Sequence, residues 1–315
     1  MDFDETASKL WITGSFSKDL VLLTSSLGTH PGTTDAFITC IIDAGGFPTL
    51  NWLSSAGNSA AHNNSNGNGI VVDETNHRAY ITGSYEGNFS AAFGFSGNTW
   101  NDPDFSTMVY PPITSSSAYL ISLQYGLSPT APPTLIWSRE QTANNGHVRG
   151  TAVDFNGSNV LQTGTFDRNM LFEENSGPAS SLSFVSAGSG NNDHVFSTKY
   201  SELIGATSTI NGTTDPSTNN ATHKSNAIAF DNVYGHAFIV GTFNHEMSYL
   251  SGSPYSGDLS ATFTPSYNAF VMRVDQTDGS YRSQQTTNES GEVYVDEISL
   301  QYNNLALSIY PNPTN

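Results

Sequence analysis

The chain has 315 residues, of which 28 are acidic and 10 are basic, and its formal net charge is -18. Charged residues make up only 12% of the chain and aromatic residues 11%, which excludes a coiled coil and a charged disordered tail. The acidic balance also argues against a nucleic-acid partner, because phosphate binding needs clustered Lys and Arg.

No apolar run approaches the roughly 18 residues that a membrane span needs, so we expect none. The start, MDFDETASKL, lacks the basic and apolar regions of a secretory signal, so we expect either a cytoplasmic protein or a sequence whose true beginning is missing. The single cysteine, Cys40, excludes an internal disulfide framework, and its run AFITCIID predicts a buried strand thiol. Common motifs of zinc enzymes, serine hydrolases and nucleotide-binding proteins are absent from the sequence.

Two sequence patterns recur four times in the same order along the chain. The first pattern has a glycine ten residues after an aspartate and an aromatic residue two positions later. It occurs in DETASKLWITGSF from Asp4, DETNHRAYITGSY from Asp73, DFNGSNVLQTGTF from Asp154 and DNVYGHAFIVGTF from Asp231. The second occurs in DAFITCII from Asp35, SAYLISLQ from Ser117, DHVFSTKY from Asp193 and NAFVMRVD from Asn268. The chain is therefore built from repeats.

Each repeat predicts four β-strands. A short apolar run ends at each aspartate, a polar turn and the glycine-containing strand follow, and two further strands complete the unit. We predict an all-β chain whose residues 1–300 form a β-propeller of about four four-stranded repeats. Long insertions, such as residues 86–116, separate the second and third strands. A β-solenoid is the alternative architecture.

The order GIVVD, turn, YITGSY, loop, SAYLI and LIW resembles the bacterial SBBP-type β-propeller repeat over residues 1 to about 290. This resemblance implies a fold and says little about chemistry. The long insertions of this chain make its repeats longer than the repeats that are common in the family. GEVYVDE from Gly291 resembles another first strand and favours a closed four-bladed ring. The alternative is a fragment of a larger propeller.

Residues 301–315 form a linker and a tail, LSIYPNPTN from Leu307. The tail resembles the opening of the C-terminal sorting domain of type IX secretion cargo in Bacteroidetes. The resemblance implies an extracellular or cell-surface location, the type IX secretion machinery as a partner, and a signal peptide upstream of the given start. The alternative for this tail is a surface turn.

The recurrent aspartates and glycines have simpler structural explanations than ligand binding. Each Asp begins a turn, where its carboxylate can accept backbone N–H bonds, so we expect turn capping and not a metal ring. Each glycine predicts a β-bulge or a close backbone approach and not a phosphate loop.

The loops that enter the first strands are the candidate ligand site. In propellers such loops converge at one mouth of the channel, an argument by analogy of fold. The polar residues there are Asn66, Asn68, His147, Arg149, His223 and Lys224. The two histidines occupy nearly matched positions, each beside a cation, which suits a sugar, carboxylate or peptide. Solvated loop polarity is the alternative, and the adjacent cations argue against a metal.

Acidic residues also lie in the insertions, in NDPD from Asn101 and FEEN from Phe172. Paired carboxylates can hydrolyse glycosides when they are held about 5 to 10 Å apart. Oxygen ligands of this kind can also bind calcium, although the EF-hand spacing is absent. We expect these acidic side chains to be solvated at the surface and the chain to bind no cofactor. Bound calcium is the alternative.

The sequence leads to three functional hypotheses. The first is a secreted or surface-displayed β-propeller that binds a glycan or an extracellular protein in an adhesive role, without catalysis. The second is a carbohydrate-active hydrolase or lyase, which two carboxylates with one perturbed pKa at the channel mouth would favour. The third is a structural spacer of a larger surface protein.

Overall fold

The computed structural model divides the chain into two units, Met1–Gln284 and Gln285–Asn315. The described residues all belong to the first unit, so the tail and the GEVYVDE segment lie outside them. They are 1–23, 25–28, 34–43, 45–56, 64–86, 116–126, 133–143, 146–167, 170–173, 193–205, 207–214, 222–231, 235–244, 246–250, 258–260, 268–275 and 281–284. This part of the chain contains strands and no helix, and hence no helix that could cross a membrane.

The first sheet is an antiparallel arrangement of four strands in chain order. It contains β1 (Asp2–Asp4), β2 (Lys9–Phe16), β5 (Asp35–Ile42) and β6 (Thr49–Ala56). A separate hairpin of β3 (Leu20–Leu22) and β4 (Ser25–Leu27) lies in the insertion between β2 and β5.

The second and third sheets repeat this order and carry additional strands. The second contains β7 (Ser65–Asp73), β8 (Arg78–Glu86), β9 (Ser116–Gln124), β10 (Thr134–Ala143) and β13 (Met170–Glu173). The third contains β11 (Val148–Phe155), β12 (Asn159–Phe166), β14 (His194–Ser201), β15 (Thr207–Thr214), β18 (Glu246–Leu250) and β19 (Asp258–Ser260).

The fourth sheet returns to four strands. It contains β16 (His223–Asp231), β17 (His236–Phe243), β20 (Asn268–Asp275) and β21 (Tyr281–Gln284). All four sheets thus share one antiparallel four-strand unit, and the two recurrent sequence patterns fall on its second and third strands. The prediction of an all-β chain with repeated four-stranded units is confirmed to this extent.

Strands from the insertions join neighbouring sheets, which the repeats did not predict. β13 lies between the second and third strands of the third sheet in sequence, yet it pairs with β10 at the outer edge of the second sheet. In the same way, β18 lies between the second and third strands of the fourth sheet in sequence, yet it pairs with β15 of the third sheet. Each of these insertions therefore covers an edge strand of the preceding sheet, where unpaired backbone groups would otherwise face solvent.

The sheets pack face to face in chain order. We call the front face of each sheet the one that carries the residue before the recurrent glycine, namely Thr13, Thr82, Thr163 or Val240. The first strand of the next sheet packs on this face, so that β7 covers the first sheet, β11 the second and β16 the third. Side chains of both sheets fill each interface, as Trp11 and Ile38 do with Ile81 and Ile121. Alternation along the strands directs these apolar residues into the interfaces.

Candidate functional site

A backbone clasp recurs in three sheets, where the end of the second strand lies beside the start of the first strand of the same sheet. The residue after the recurrent aromatic donates its N–H to the carbonyl of the residue that precedes a first strand. These bonds are Glu86 to Asn64 at 2.8 Å, Asp167 to His147 at 2.9 Å and Asn244 to Thr222 at 3.1 Å. The three clasps place equivalent residues at the same end of three sheets, where the first strands begin and the second strands end. We call this end the rim.

A side-chain hydrogen bond joins the same two residues in each clasp. The carboxylate of Asp167 accepts the N–H of His147, and the amide oxygen of Asn244 accepts the N–H of Thr222 at 2.5 Å. In the second sheet, Asn64 donates through Nδ2 to Glu86 at 2.8 Å. The rim is therefore a preorganised surface, because backbone and side-chain bonds both hold it.

Three predicted ligand residues occupy one register position of the rim. Asn66, Arg149 and Lys224 pair with Ser84, Thr165 and Thr242, each one residue beyond the recurrent glycine. The side chains of Arg149 and Lys224 are exposed, whereas Asn66 is half-buried. Residues that share a register position lie on the same face of their sheets, so both cations project in the same sense.

Asp193, which directly precedes β14, lies among these cations. Burial raises the pKa of the Asp193 carboxyl, and the charges of Lys224, Arg149 and His147 act in the opposite direction. The charge of Asp167 adds to the increase in pKa. We call these five residues the rim cluster: His147, Arg149, Asp167, Asp193 and Lys224. The structure thus brings together three of the predicted residues and adds two carboxylates.

The two predicted histidines differ in placement. His147 is half-buried at the rim, and its Nδ1 lies 3.2 Å from the hydroxyl of Ser116. His223 is fully buried, with its Nδ1 3.3 Å from Thr213 and its ring 5.4 Å from that of His194. Pairing shows that His223 is equivalent to Val148 and not to His147, since these two face Phe243 and Phe166. A shift of one residue along a strand moves a side chain to the opposite face.

Asn68 is the extra residue of a β-bulge. The pairing of β7 with β8 shifts between Gly67 and Gly69, and Asn68 donates to the carbonyl of Gly150 at 2.7 Å. The equivalent bulge residue of the third sheet, Thr151, lies 2.7 Å from the hydroxyl of Ser225. Asn68 is exposed, but its amide already links two sheets.

Sequence reasoning missed Asp167 and Asp193, although both had a signal. Asp167 directly follows the recurrent aromatic, where the second and fourth repeats have Glu86 and Asn244. Asp193 opens the second recurrent pattern, as Asp35 does in the first repeat. A polar residue at a fixed place in several repeats indicates a shared structural position.

Within the described ranges, no group of three or more His, Cys, Asp or Glu side chains is placed to hold a metal ion. The NDPD segment at residues 101–104 lies outside these ranges, as do the side chains of the FEEN segment at 172–175. The calcium alternative therefore stays a prediction.

The recurrent aspartates at the opposite end of the sheets act mainly in turns. Asp4 accepts the N–H of Ala7 at 2.7 Å, and Asp73 accepts those of Thr75 and Asn76 at 3.0 and 3.1 Å. These contacts confirm the turn-capping prediction for the first two repeats.

The third repeat differs. Asn156, and not Asp154, caps its turn by accepting the N–H of Ser158 and Asn159. Asp154 instead accepts the N–H of Phe230 in the fourth sheet at 2.6 Å. The turn-capping prediction is wrong for Asp154, because its carboxylate reaches an unpaired N–H on an edge strand.

A second cluster at this opposite end joins the second and third sheets. Arg78 forms an ion pair with Glu202 at 2.9 Å, and Asn76 donates to the same carboxylate at 3.1 Å. Trp137 donates its indole N–H to the carbonyl of Glu202 at 2.8 Å. Burial raises the pKa of Glu202, and Arg78 opposes this increase. All of these groups have protein partners, so this cluster is a structural link between the two sheets.

No model of a known protein family matches this chain, and no curated protein matches it significantly.

Proposed function

We propose that this chain is a secreted or surface-displayed β-propeller whose rim cluster binds a glycan or an extracellular protein without catalysis. The single observation that carries the proposal is the rim cluster, where the exposed cations Arg149 and Lys224 interact electrostatically with the partly buried Asp193. Cations and carboxylates in one cluster can hydrogen-bond hydroxyl, amide and carboxylate groups of a ligand.

Contacts among the first strands support the propeller arrangement. Asp2 of β1 accepts the N–H of Val72 in β7 at 2.7 Å, as Asp154 of β11 does for Phe230 in β16. Burial raises the pKa of Asp154, and the nearby charge of Asp2 adds to the increase. First strands of four sheets that approach one another are what a propeller axis requires.

The proposed location and export partner rest on the tail and on the SBBP-type resemblance. In this proposal the tail from Leu307 engages the type IX secretion machinery. Detection of the chain on intact cells, and its loss from the surface when residues 307–315 are deleted, would test this part. Unchanged surface display of the deleted form would contradict it.

The binding proposal is tested by a glycan array with calcium and again with EDTA. We expect saturable binding that weakens in Arg149→Gln and Lys224→Gln, while Lys18→Gln, which removes an exposed cation outside the rim cluster, binds normally. Equal binding by all three variants would rule out the rim cluster as the ligand-binding site. A blank array would favour a protein ligand or a spacer role.

A hydrolase or lyase is the second candidate, because Asp193 has a raised pKa and interacts with Asp167. Two neighbouring carboxylates can take acid and base roles. This candidate predicts products from a polysaccharide panel, and their loss in Asp193→Asn. An inactive panel would count against it.

A further inference from the structure

Consecutive sheets are joined at the rim, where the start of a third strand lies beside the start of the next sheet's first strand. We call each of these places a junction. Between the third and fourth sheets, Asp193 pairs in parallel with Thr222, and the N–H of His223 donates to the carbonyl of Asp193 at 2.8 Å. Between the first and second sheets, the N–H of Ser65 donates to the carbonyl of Thr34 at 2.7 Å in the same way.

The second and third sheets meet in the same manner, since Ser116 pairs in parallel with His147. At each junction one side chain of the third strand and one of the next first strand occupy equivalent positions, each opposite the recurrent aromatic of its own sheet. These pairs are Asp35 with Ser65, Ser117 with Val148, and His194 with His223. Of the three pairs, only the third consists of two titratable side chains.

The two imidazoles of this third junction are buried and lie against each other. His194 is 1% exposed and His223 is fully buried, and their ring centroids are 5.4 Å apart. The ring of Phe166 lies 5.5 Å from that of His194. The hydroxyl of Thr213 lies 3.3 Å from Nδ1 of His223 and accepts the N–H of Val195 at 2.8 Å. Neither Phe166 nor Thr213 carries a negative charge that would stabilise an imidazolium.

The charged residues of the rim cluster are each one residue away from a residue on the buried side of the junctions. Arg149 follows Val148, Asp167 follows Phe166, Asp193 precedes His194 and Lys224 follows His223. Because successive residues of an extended chain point to opposite faces, these four charges are directed away from the two rings. Asp193 interacts with the charges of Lys224 and Arg149 instead.

The other neighbouring strands add few charged residues near the pair. β15 contains no titratable residue, and His236, the one titratable residue of β17, lies at the end opposite the rim. The charged residue of β18 is Glu246, whose side chain lies outside the described residues.

Burial opposes protonation of an imidazole, and two adjoining rings repel each other when both are charged. Near neutral pH the uncharged rings therefore pack together, whereas a proton on either ring favours its exposure to water. We propose that His194 and His223 form a pH-sensitive junction, which holds the third and fourth sheets together at the rim and opens in acid.

Opening of this junction changes the rim cluster, because Asp193 and Lys224 directly adjoin the two rings in sequence. Separation of the two strands would move Asp193 away from Lys224, so a ligand of the rim cluster would bind near neutral pH and dissociate in acid. This consequence rests on the proposed function. The opening itself can be measured without a ligand, so either proposal can fail while the other holds.

The first test compares the thermal unfolding temperature, Tm, of the full chain at pH 7.5 and at pH 5. Unfolded imidazoles take up protons below about pH 6.5 and the buried ones resist it, so the stability that the pair provides above that pH is lost as the pH falls. The double variant His194→Ser, His223→Val copies the second junction and does not titrate there. Its Tm should fall on acidification by about 3 °C less than that of the natural chain.

The matched control is His147→Ala, which removes an imidazole from the same rim one residue out of register with His223. Its Tm should fall as much as that of the natural chain. Equal decreases in the natural chain and in the double variant would overturn the proposal.

Amide hydrogen exchange in the natural chain gives a second readout that does not depend on the folding of a variant. The protection factor of the His223 N–H, which bonds across the junction to Asp193, should fall about tenfold from pH 7.5 to pH 5. The Asp167 N–H, which bonds to His147 within the third sheet, should keep its protection. Unchanged protection of the His223 N–H at pH 5 would overturn the proposal, since the junction would then remain closed in acid.

Discussion

Gly83 of β8 lies directly opposite Tyr119 of β9, and the tyrosine hydroxyl extends past the glycine to donate to the carbonyl of Asn66 at 3.1 Å. A Cβ on Gly83 would lie 2.6 Å from Cζ of Tyr119 and would also meet the Asn66 carbonyl. The same pairing recurs at Gly14 with Phe37, Gly164 with Phe196 and Gly241 with Phe270. The recurrent glycine therefore makes room for an aromatic ring on the next strand.

Gly83→Ala should lower the free energy of unfolding by about 1 to 3 kcal/mol, since an extra methyl group in a packed site forces shifts of ring and backbone. Urea unfolding followed by tryptophan fluorescence measures this change. Gly46→Ala is the matched control, because a Cβ there meets nothing within 4 Å, and its unfolding should be unchanged. Equal stability of the two variants would contradict the packing role of the glycine.

The two histidines should respond differently to replacement by alanine. His223→Ala empties a fully buried position and should cost about 2 to 5 kcal/mol of stability. His147→Ala removes a half-buried ring at the rim and should leave the fold nearly as stable. Differential scanning calorimetry compares the two. Only His147→Ala is then a fair test of ligand contact, and a destabilised His147→Ala together with a normal His223→Ala would refute this assignment.

The pKa of Asp193 should lie above its ordinary value, and Lys224→Gln should raise it further because one stabilising cation is lost. Since the folded pKa exceeds the unfolded one, Asp193 favours folding most below its ordinary pKa. This contribution declines as the pH rises from the ordinary to the raised value. Carboxyl chemical shifts followed by NMR against pH give both pKa values. A value for Asp193 below the ordinary one, or a decrease in Lys224→Gln, would contradict the burial argument.

Cys40 should be unreactive in the folded chain. Burial raises the pKa of the Cys40 thiol from 9.0 to about 11, so its thiolate fraction at pH 8 falls roughly a hundredfold. Labelling with a thiol-reactive chromophore should be slow in buffer and fast in denaturant. Rapid labelling of the native chain would place the thiol at the surface, contrary to its complete burial.

Much of the local structure followed from the sequence. The spacing of Asp and Gly predicted hairpins, and the structure has β7 with β8 and β16 with β17 in that register. The sequence also contained the information that His147 and His223 occupy different strand positions. His147 precedes Asp154 by seven residues, whereas His223 precedes Asp231 by eight. An odd difference on a strand places the two side chains on opposite faces.

The sequence by itself determined the repeated four-strand unit, because its hairpins join segments close in the chain and each carries a periodic signal. Only the tertiary structure decided that β13 and β18 extend the preceding sheets, and that Arg149, Lys224 and Asp193 meet at one rim. These contacts join different repeats. They depend on how sheets stack and on which edges remain unpaired, and neither property has a fixed spacing along the chain.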